Sequence, residues 1–444
     1  MAVNLTEIKY LIIGNSAGGI GAAEAIREAD EQGSMVIVSD EPYPAYSRPL
    51  ISEHLAEGCS LERMMYRPAD FYERNGINTV LGQKAVSLDL ANHTLMLDSG
   101  SAISWQKLLL ATGGLPIVPP IKGAEREGIF TFTTLDDAKA IDGYLYEADR
   151  VVVIGGGLIG VSVTEALVKR GAEVTIVEMK DRVLNTILDE EVSALEDSIL
   201  RQAGVDIITG HVVSEINGHG RRVQGVTLDN GARIPCDMVI IAIGVRPRMG
   251  LVDGTGIKVN RGIIVDRYMA TSHPDVYACG DVAEAFDIAY GECRLTPIWP
   301  NAYIGGRTVG FNMAGRPTEY PGGMAMNSLK YFGLNVVSAG IVIPPDDSYE
   351  VIMSNKDGAY RKVILKDGIV VGLIFAGDIE KSGIIQSLIR NRINVDDFKQ
   401  ALVTDDFGLA FLPGELWRPE LEVPAGAVVS PIYAEEPEEV IAGE

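Results

Sequence analysis

Val151-Val152-Val153-Ile154-Gly155-Gly156-Gly157-Leu158-Ile159-Gly160 is a short apolar run closed by a glycine-rich turn and reopened by an apolar pair. Such a run reads as a buried strand that turns into a helix, the opening of a βαβ dinucleotide-binding unit. Gly155 permits the tight turn, Gly157 lets the backbone approach a pyrophosphate, and Gly160 allows the helix to pack closely on the strand, with Leu158 and Ile159 between them. The helix N-terminus then offers free N–H groups and the positive end of its dipole to the diphosphate. Val163, Ala166 and Leu167 continue the helix, Gly171 is placed to end it, and Val174-Thr175-Ile176-Val177 forms the next strand. Glu178 ends that strand, where a carboxylate can accept hydrogen bonds from a ribose 2′-hydroxyl and would repel a 2′-phosphate. NADH is therefore expected over NADPH, with Lys180 and Arg182 close by.

Nearer the N-terminus, Tyr10-Leu11-Ile12-Ile13-Gly14-Asn15-Ser16-Ala17-Gly18-Gly19 repeats the pattern with Ser16 in place of the middle glycine. Ile20, Ala23 and Ile26 recur at helical spacing, and Met35-Val36-Ile37-Val38 supplies the second strand. Asp40 and Glu41 follow, and either can hold a ribose; Asp40 ends the apolar run directly and is preferred. Two such loops, each with its own acid, suggest two dinucleotides held by one protein.

Composition bounds the rest. The chain has 444 residues, 47% of them hydrophobic, enough for two or three domains with buried cores. With 38 basic and 61 acidic residues the formal charge is −23, which repels nucleic acid and anionic lipid. No apolar run reaches the length of a membrane span and no signal peptide is evident, so a cytoplasmic protein is expected. Cys59, Cys236, Cys279 and Cys293 form no close pair and the five histidines are scattered. That spacing gives no metal site, cluster or disulfide framework, and buried, inert thiols are expected.

Lys107-Leu108-Leu109-Leu110-Ala111-Thr112-Gly113 reads as a strand leaving the first unit through a proline-rich connector, Pro116 to Pro120. Val239-Ile240-Ile241-Ala242-Ile243-Gly244, followed by Arg246-Pro247, closes the second unit, and the segment from Ile263 to Ala285 returns to the first. From about Pro321 strand-like alternation, a turn at Gly377-Asp378 and an amphipathic helix with Ile384, Ile385, Leu388 and Ile389 suggest a separate α+β domain. The expected division is 1–118 and 247–320 for the first unit, 119–246 for the second, 321–402 for the third domain and 403–444 for an extension. After Arg418 there is no basic residue, and the end around Glu435, Glu436, Glu438 and Glu439 reads as an acidic tail, either solvated or a docking element.

The two loops, Leu110-Ala111-Thr112-Gly113, Ala242-Ile243-Gly244 and Tyr277-Ala278-Cys279-Gly280-Asp281 together resemble the FAD-dependent pyridine nucleotide-disulfide oxidoreductases over about residues 8 to 400. The resemblance implies an α/β chain with two Rossmann-like domains, the first for FAD and the second for NAD(H), plus a C-terminal α+β domain. It implies that Asp281 hydrogen-bonds the ribityl chain of FAD, a role compatible with a helix N-cap. It also carries Ala85, Ala111, Thr112, Gly113, Gly244 and Gly280 as cofactor-binding positions. Pro44-Ala45-Tyr46-Ser47-Arg48-Pro49-Leu50-Ile51-Ser52 is similar to a segment of rubredoxin reductases, ferredoxin reductases and the flavoprotein part of assimilatory nitrite reductases. Arg48 would then pair with the FAD pyrophosphate and Pro49 pack by the isoalloxazine ring; the plainer alternative for Arg48 is a surface ion pair. Trp299 lies against the flavin on this resemblance, or is a core tryptophan.

Disulfide-reducing members carry one or two cysteines beside the flavin, whereas Tyr46 to Leu55 has none and Cys59 lies just beyond it, unpaired. A thiol relay is not expected. Where ferredoxin-reductase-like proteins often place a lysine stands Glu53, and where many relatives have a glutamate near the nicotinamide stands Ser162. Ser16 and Ser162 make the chain more similar to NADH-oxidising flavoprotein subunits attached to iron-sulfur 2-oxoacid oxidoreductases, that of phenylglyoxylate dehydrogenase among them. The expected activity is NADH-dependent reduction of FAD and delivery of electrons to an iron-sulfur or rubredoxin-type partner. No acid-base residue is named as catalytic, because the cofactors carry the chemistry. The alternatives are an NADH oxidase or CoA-disulfide reductase, and a non-catalytic, NADH-sensing flavoprotein. Val363 to Leu365 and Val370 to Phe375 fit either a homodimer interface or simple core packing, and a hetero-oligomeric complex is the other expected assembly. An acidic partner would require a local cluster of Lys and Arg on this acidic chain.

Overall fold

The computed structural model describes residues 8–356, 358–412 and 414, and the acidic tail expected at the C-terminus lies outside them. Ile8–Ile13 sits in the middle of a mainly parallel sheet, between Met35–Ser39 and Ala102–Leu110. Ile77–Leu81 pairs beyond Met35–Ser39. Val276–Ala278 pairs with Leu108 to Leu110, so the chain returns to this sheet after a long excursion. Leu11, Ile12, Val36, Ile37, Leu108 and Leu109 are all fully buried, as expected of parallel strands covered on both faces.

Helix Ala17–Ala29 follows the first loop and packs along helix Trp299–Met313. Glycine makes this approach possible. A Cβ on Gly306 would stand 2.0 Å from the Gly18 carbonyl oxygen, and one on Gly310 would stand 2.3 Å from that of Ala22. The two backbones therefore touch, and the start of the second helix, with Trp299, is brought beside the first glycine loop.

The second sheet has the same plan. Arg150–Ile154 lies between Glu173–Glu178 and Met238–Ile241, with Asp206–Thr209 and Ile129–Phe130 outside them. Three antiparallel strands, Val213–His219, Arg222–Leu228 and Arg233–Pro235, pack on one side through Ile216, Val226 and Leu228. The two passages between the sheets, Gly114–Pro116 and Val245–Pro247, pair with each other as a short antiparallel ribbon. A pair of strands, rather than one stiff proline-rich connector, thus joins the two units.

Beyond Pro321 comes a five-stranded antiparallel sheet, ordered Met326–Tyr331, Leu334–Gly340, Ile369–Ala376, Ala359–Lys366 and Glu350–Lys356, with helix Ser382–Asn391 against it. Val363 to Leu365 and Val370 to Phe375 are buried within the single chain. Two basic residues on Ala359–Lys366 are buried as well, and both are paired. Arg361 meets Asp378 and Asp405, each at 2.5 Å, and Lys362 meets Asp189 at 2.9 Å. Asp189 also accepts the Tyr360 hydroxyl at 2.6 Å and caps helix Glu190–Gln202, so one carboxylate fastens the C-terminal sheet to the second dinucleotide unit.

Candidate dinucleotide-binding cleft

The two glycine loops are built alike. Gly14 and Gly155 take positive φ values of +121° and +107°, a region that side chains rarely enter. On Gly19 a Cβ would lie 1.9 Å from the Gly14 carbonyl oxygen, and on Gly160 it would lie 1.9 Å from that of Gly155. Those glycines are demanded by the loop itself. Gly157 is different: its φ is −80° and a Cβ there would meet nothing within 4 Å. Ser16 occupies the matching N-cap position in the first loop, also extended, which explains why a side chain is accommodated there.

Neither Ser16 nor Gly157 caps its helix with a side chain, and neither does Ile298 before Trp299–Met313. By contrast Thr134 caps Leu135–Tyr144 and Asp189 caps Glu190–Gln202. The first-turn N–H groups of both loop helices are left for an outside acceptor, the donor set a diphosphate needs. Both sites fit a dinucleotide on this ground. Leu158 and Ile159 open the second helix half-buried, and Ala17, Gly18 and Gly19 are buried in the first.

Glu178 is 8% exposed and already has two partners: Oε2 accepts the Gly156 N–H at 2.6 Å and Oε1 the Lys180 N–H at 2.8 Å. It braces the loop while its remaining lone pairs stay available to a ribose. Asp40 and Glu41 are separated by the fold. Glu41 turns to Arg48 and to the Tyr46 hydroxyl (2.6 Å), whose oxygen in turn accepts the Leu135 N–H at 3.0 Å. It therefore positions Arg48. Arg48 also donates to the Thr133 carbonyl at 2.9 Å, yet its side chain keeps 38% of its surface exposed. Burial works against its charge, and the neighbouring Tyr46, Glu41 and Asp281 outweigh it, so its proton is held more firmly than usual.

Asp40 pairs through Oδ2 with Arg248 at 2.5 Å. Arg248 is locked to the turn after Ala102–Leu110: its N–H donates to the Gly113 carbonyl and its carbonyl accepts the Thr112 hydroxyl, both at 2.9 Å. Ala111 closes the same turn, its carbonyl oxygen lying against Gly14. Ala85 starts an edge strand packed beside the turn Gly250–Val252. Sequence reading missed Arg248, because its partner is 208 positions away and no motif marks it. Gly244, at φ +110°, accepts the Ile117 N–H at 2.9 Å in the ribbon between the units.

Asp281 lies inside the turn Gly280–Val282, whose cap position is Cys279, so Asp281 is not itself a helix N-cap. Burial pushes its carboxyl up, and Arg48 opposes that push. Gly280, at φ +73°, would place a Cβ 3.3 Å from that of Ala302, which sets the turn against the start of Trp299–Met313. Trp299 is half-buried and meets Tyr66 edge-on at 5.0 Å between ring centroids. Pro49 is exposed at the start of helix Ile51–Glu57, which packs on the second-loop helix Leu158–Lys169. The Arg48 segment of the first site is thus anchored against the helix of the second.

Thiols are not poised at the cleft. Cys59, Cys236 and Cys279 are buried, and burial first of all pushes Cys236 and Cys279 up to about 12. Cys293 departs from the expectation of buried thiols: it is exposed on the edge strand Glu292–Arg294. Among the described residues no group of three or more His, Cys, Asp or Glu side chains gathers as a metal set, and no helix is long and apolar enough to cross a membrane.

Two Rossmann-like units joined by a two-stranded ribbon and by the packing of Ile51–Glu57 on Leu158–Lys169, with a third domain clamped to the second, define an oxidoreductase of the two-dinucleotide class. The chain belongs to the pyridine nucleotide-disulphide oxidoreductase family, whose sequence pattern matches residues 8–304, and the rubredoxin NAD+ reductase C-terminal domain matches 326–393. It is an FAD- and NAD(H)-dependent enzyme. It is 32% identical over 416 residues to the epsilon subunit of an NADH-dependent phenylglyoxylate dehydrogenase from Aromatoleum evansii, covering 92% of this chain and 98% of that one. It is 33% identical over 368 residues to the ferredoxin reductase subunit of a 5,5′-dehydrodivanillate O-demethylase from Sphingobium, covering 82% and 88%. A nitrite reductase (NAD(P)H) of Bacillus subtilis is 30% identical over 392 residues, but the chain spans only 48% of it. The crystal structure of a ferredoxin reductase from Rhodopseudomonas palustris superposes with a TM-score of 0.82 at 26% identity, covering 93% and 99%.

Proposed function

We propose that this chain takes electrons from NADH through FAD and passes them to an iron-sulfur or rubredoxin-type protein, as the electron-transfer subunit of a larger oxidoreductase. The observation that carries this reading is the contact of the Arg48 segment and its helix with the second-loop helix, with no accessible thiol in either. A junction between two dinucleotide sites with no accessible thiol favours direct exit of electrons to an outside acceptor. FAD held at the first site would supply the two-electron to one-electron conversion between NADH and the acceptor.

The chain's own residues bind and orient. The uncapped helix after Gly157 takes the NADH diphosphate, and Glu178 takes a ribose hydroxyl while bracing the loop. The helix after Ser16 takes the FAD diphosphate together with Arg48, which Glu41 and Tyr46 hold in place. Asp281 faces the ribityl chain and Trp299 the ring. Ala85, Ala111, Thr112, Gly113, Gly244 and Gly280 shape the walls. The domain division at residues 118, 246, 320 and 402, a cytoplasmic location, and a hetero-oligomeric assembly belong to the same proposal; the similarity to the phenylglyoxylate dehydrogenase subunit supports the last.

Anaerobic stopped-flow mixing of the purified yellow protein with NADH tests the reading. Bleaching of the flavin must be at least as fast as turnover with an iron-sulfur acceptor; slower bleaching overturns it and leaves an NADH-sensing flavoprotein. NADH oxidases also stand among the relatives. Oxygen consumption matching the rate with protein acceptors selects that reading instead.

A further inference from the structure

We infer that Arg248 is a binding residue for the adenosine diphosphate half of FAD, donating from its guanidinium to a ribose or phosphate oxygen beside Asp40. The inference rests on the reading that the first glycine loop holds FAD.

Three observations place it there. Arg248 reaches Asp40, the acid that ends the second strand of the first βαβ unit, at 2.5 Å through one terminal nitrogen. Its backbone is fastened on both sides to Thr112 and Gly113, in the turn whose Ala111 carbonyl abuts Gly14 of the loop. The Arg248 and Asp40 side chains keep 34% and 38% of their surface exposed, and Asp40 Oδ1 accepts nothing among the described residues. The terminal N–H groups of Arg248 not used by Asp40, and the free Asp40 Oδ1, stand next to a phosphate-binding loop and are complementary to a ribose hydroxyl or a phosphate oxygen. A guanidinium suits this work because it can hold a carboxylate with one N–H and an oxygen of the ligand with another.

Position in the fold adds a consequence. Arg248 follows directly on Val245–Pro247, the strand by which the chain passes back from the second sheet to the first. A cofactor contact at that point links retention of FAD to the seating of the two units on each other.

The test uses apoprotein prepared from the full chain and titrated with FAD, FMN and ADP, read by flavin fluorescence and by competition. Arg248→Gln is expected to weaken FAD at least tenfold and to weaken ADP as a competitor of FAD reloading by a similar factor, while FMN binding stays at the wild-type value. Arg248→Lys keeps the charge beside Asp40 but lacks the forked donor, and is expected to unfold at the wild-type temperature and still lose FAD affinity. Unchanged FAD and ADP affinity in both variants overturns the inference. So does an equal loss of FAD and FMN, which would mark Arg248 as scaffold only. Failure of the wild-type apoprotein to take up FAD would instead overturn the reading of the first site.

Discussion

Gly157 and Gly160 look equivalent on paper and are opposite in the fold. Gly160→Ala drives a methyl group into the Gly155 carbonyl, so we expect destabilisation of about 2 kcal/mol or more and loss of both stability and NADH binding. Gly157→Ala meets only open space, so its unfolding free energy should stay within about 0.5 kcal/mol of wild type. The methyl group would crowd the diphosphate, and the KM for NADH should rise roughly tenfold, or about 1.4 kcal/mol. Thermal unfolding and steady-state kinetics of the two variants separate these outcomes. The thiols divide as sharply. Alkylation of the native protein should label Cys293 first, leave Cys59, Cys236 and Cys279 until unfolding, and leave NADH oxidation unaffected; mass spectrometry of the labelled peptides checks it.

At the scale of elements, helix starts decide what a loop can bind. Helices Ala17–Ala29 and Leu158–Lys169 leave their first N–H groups unclaimed, whereas Glu190–Gln202 spends its cap on holding the molecule together. Burial pushes the Asp189 carboxyl up, but the Tyr360 hydroxyl, the Lys362 ammonium and the Val192 N–H together hold it below its ordinary range. Its stabilising contribution is therefore present at neutral pH and is lost as the pH falls below the ordinary carboxylate range. Asp189→Asn leaves Lys362 buried without its counter-charge and should cost about 3 kcal/mol. Loosening of the C-terminal sheet in this variant would appear as faster hydrogen exchange across Ala359–Lys366 than across Arg150–Ile154. Equal exchange in the two strands would contradict the role given to Asp189.

For the molecule as a whole, the seam between the second unit and the C-terminal domain carries an acid that pulls stability the other way. Glu196 is 1% exposed, and burial together with the nearby Glu165 pushes it up to about 7. Glu165 accepts the Phe332 N–H of the C-terminal domain at 3.2 Å and lies 3.7 Å from Lys169. A carboxyl that holds its proton longer in the folded state makes the fold less stable as the pH rises from the ordinary carboxylate range towards 7. Glu196→Gln should remove that slope and raise stability at pH 8 by on the order of 2 kcal/mol, read from unfolding temperatures between pH 5 and 8.

The sequence by itself determined the two βαβ units, their glycine turns and the acids that follow them, because these depend on periodicity and on local backbone sterics within a few tens of residues. Ser16 was legible as a departure, and the absence of cysteine from Tyr46 to Leu55 already spoke against a thiol relay. Only the tertiary structure decided how the acids are shared: Glu41 to Arg48, Asp40 to Arg248, Glu178 to its own loop, and Asp189 to Tyr360 and Lys362. Those partners lie on different elements, some far apart along the chain, and a charge finds its counter-charge by proximity in space, which no local pattern encodes.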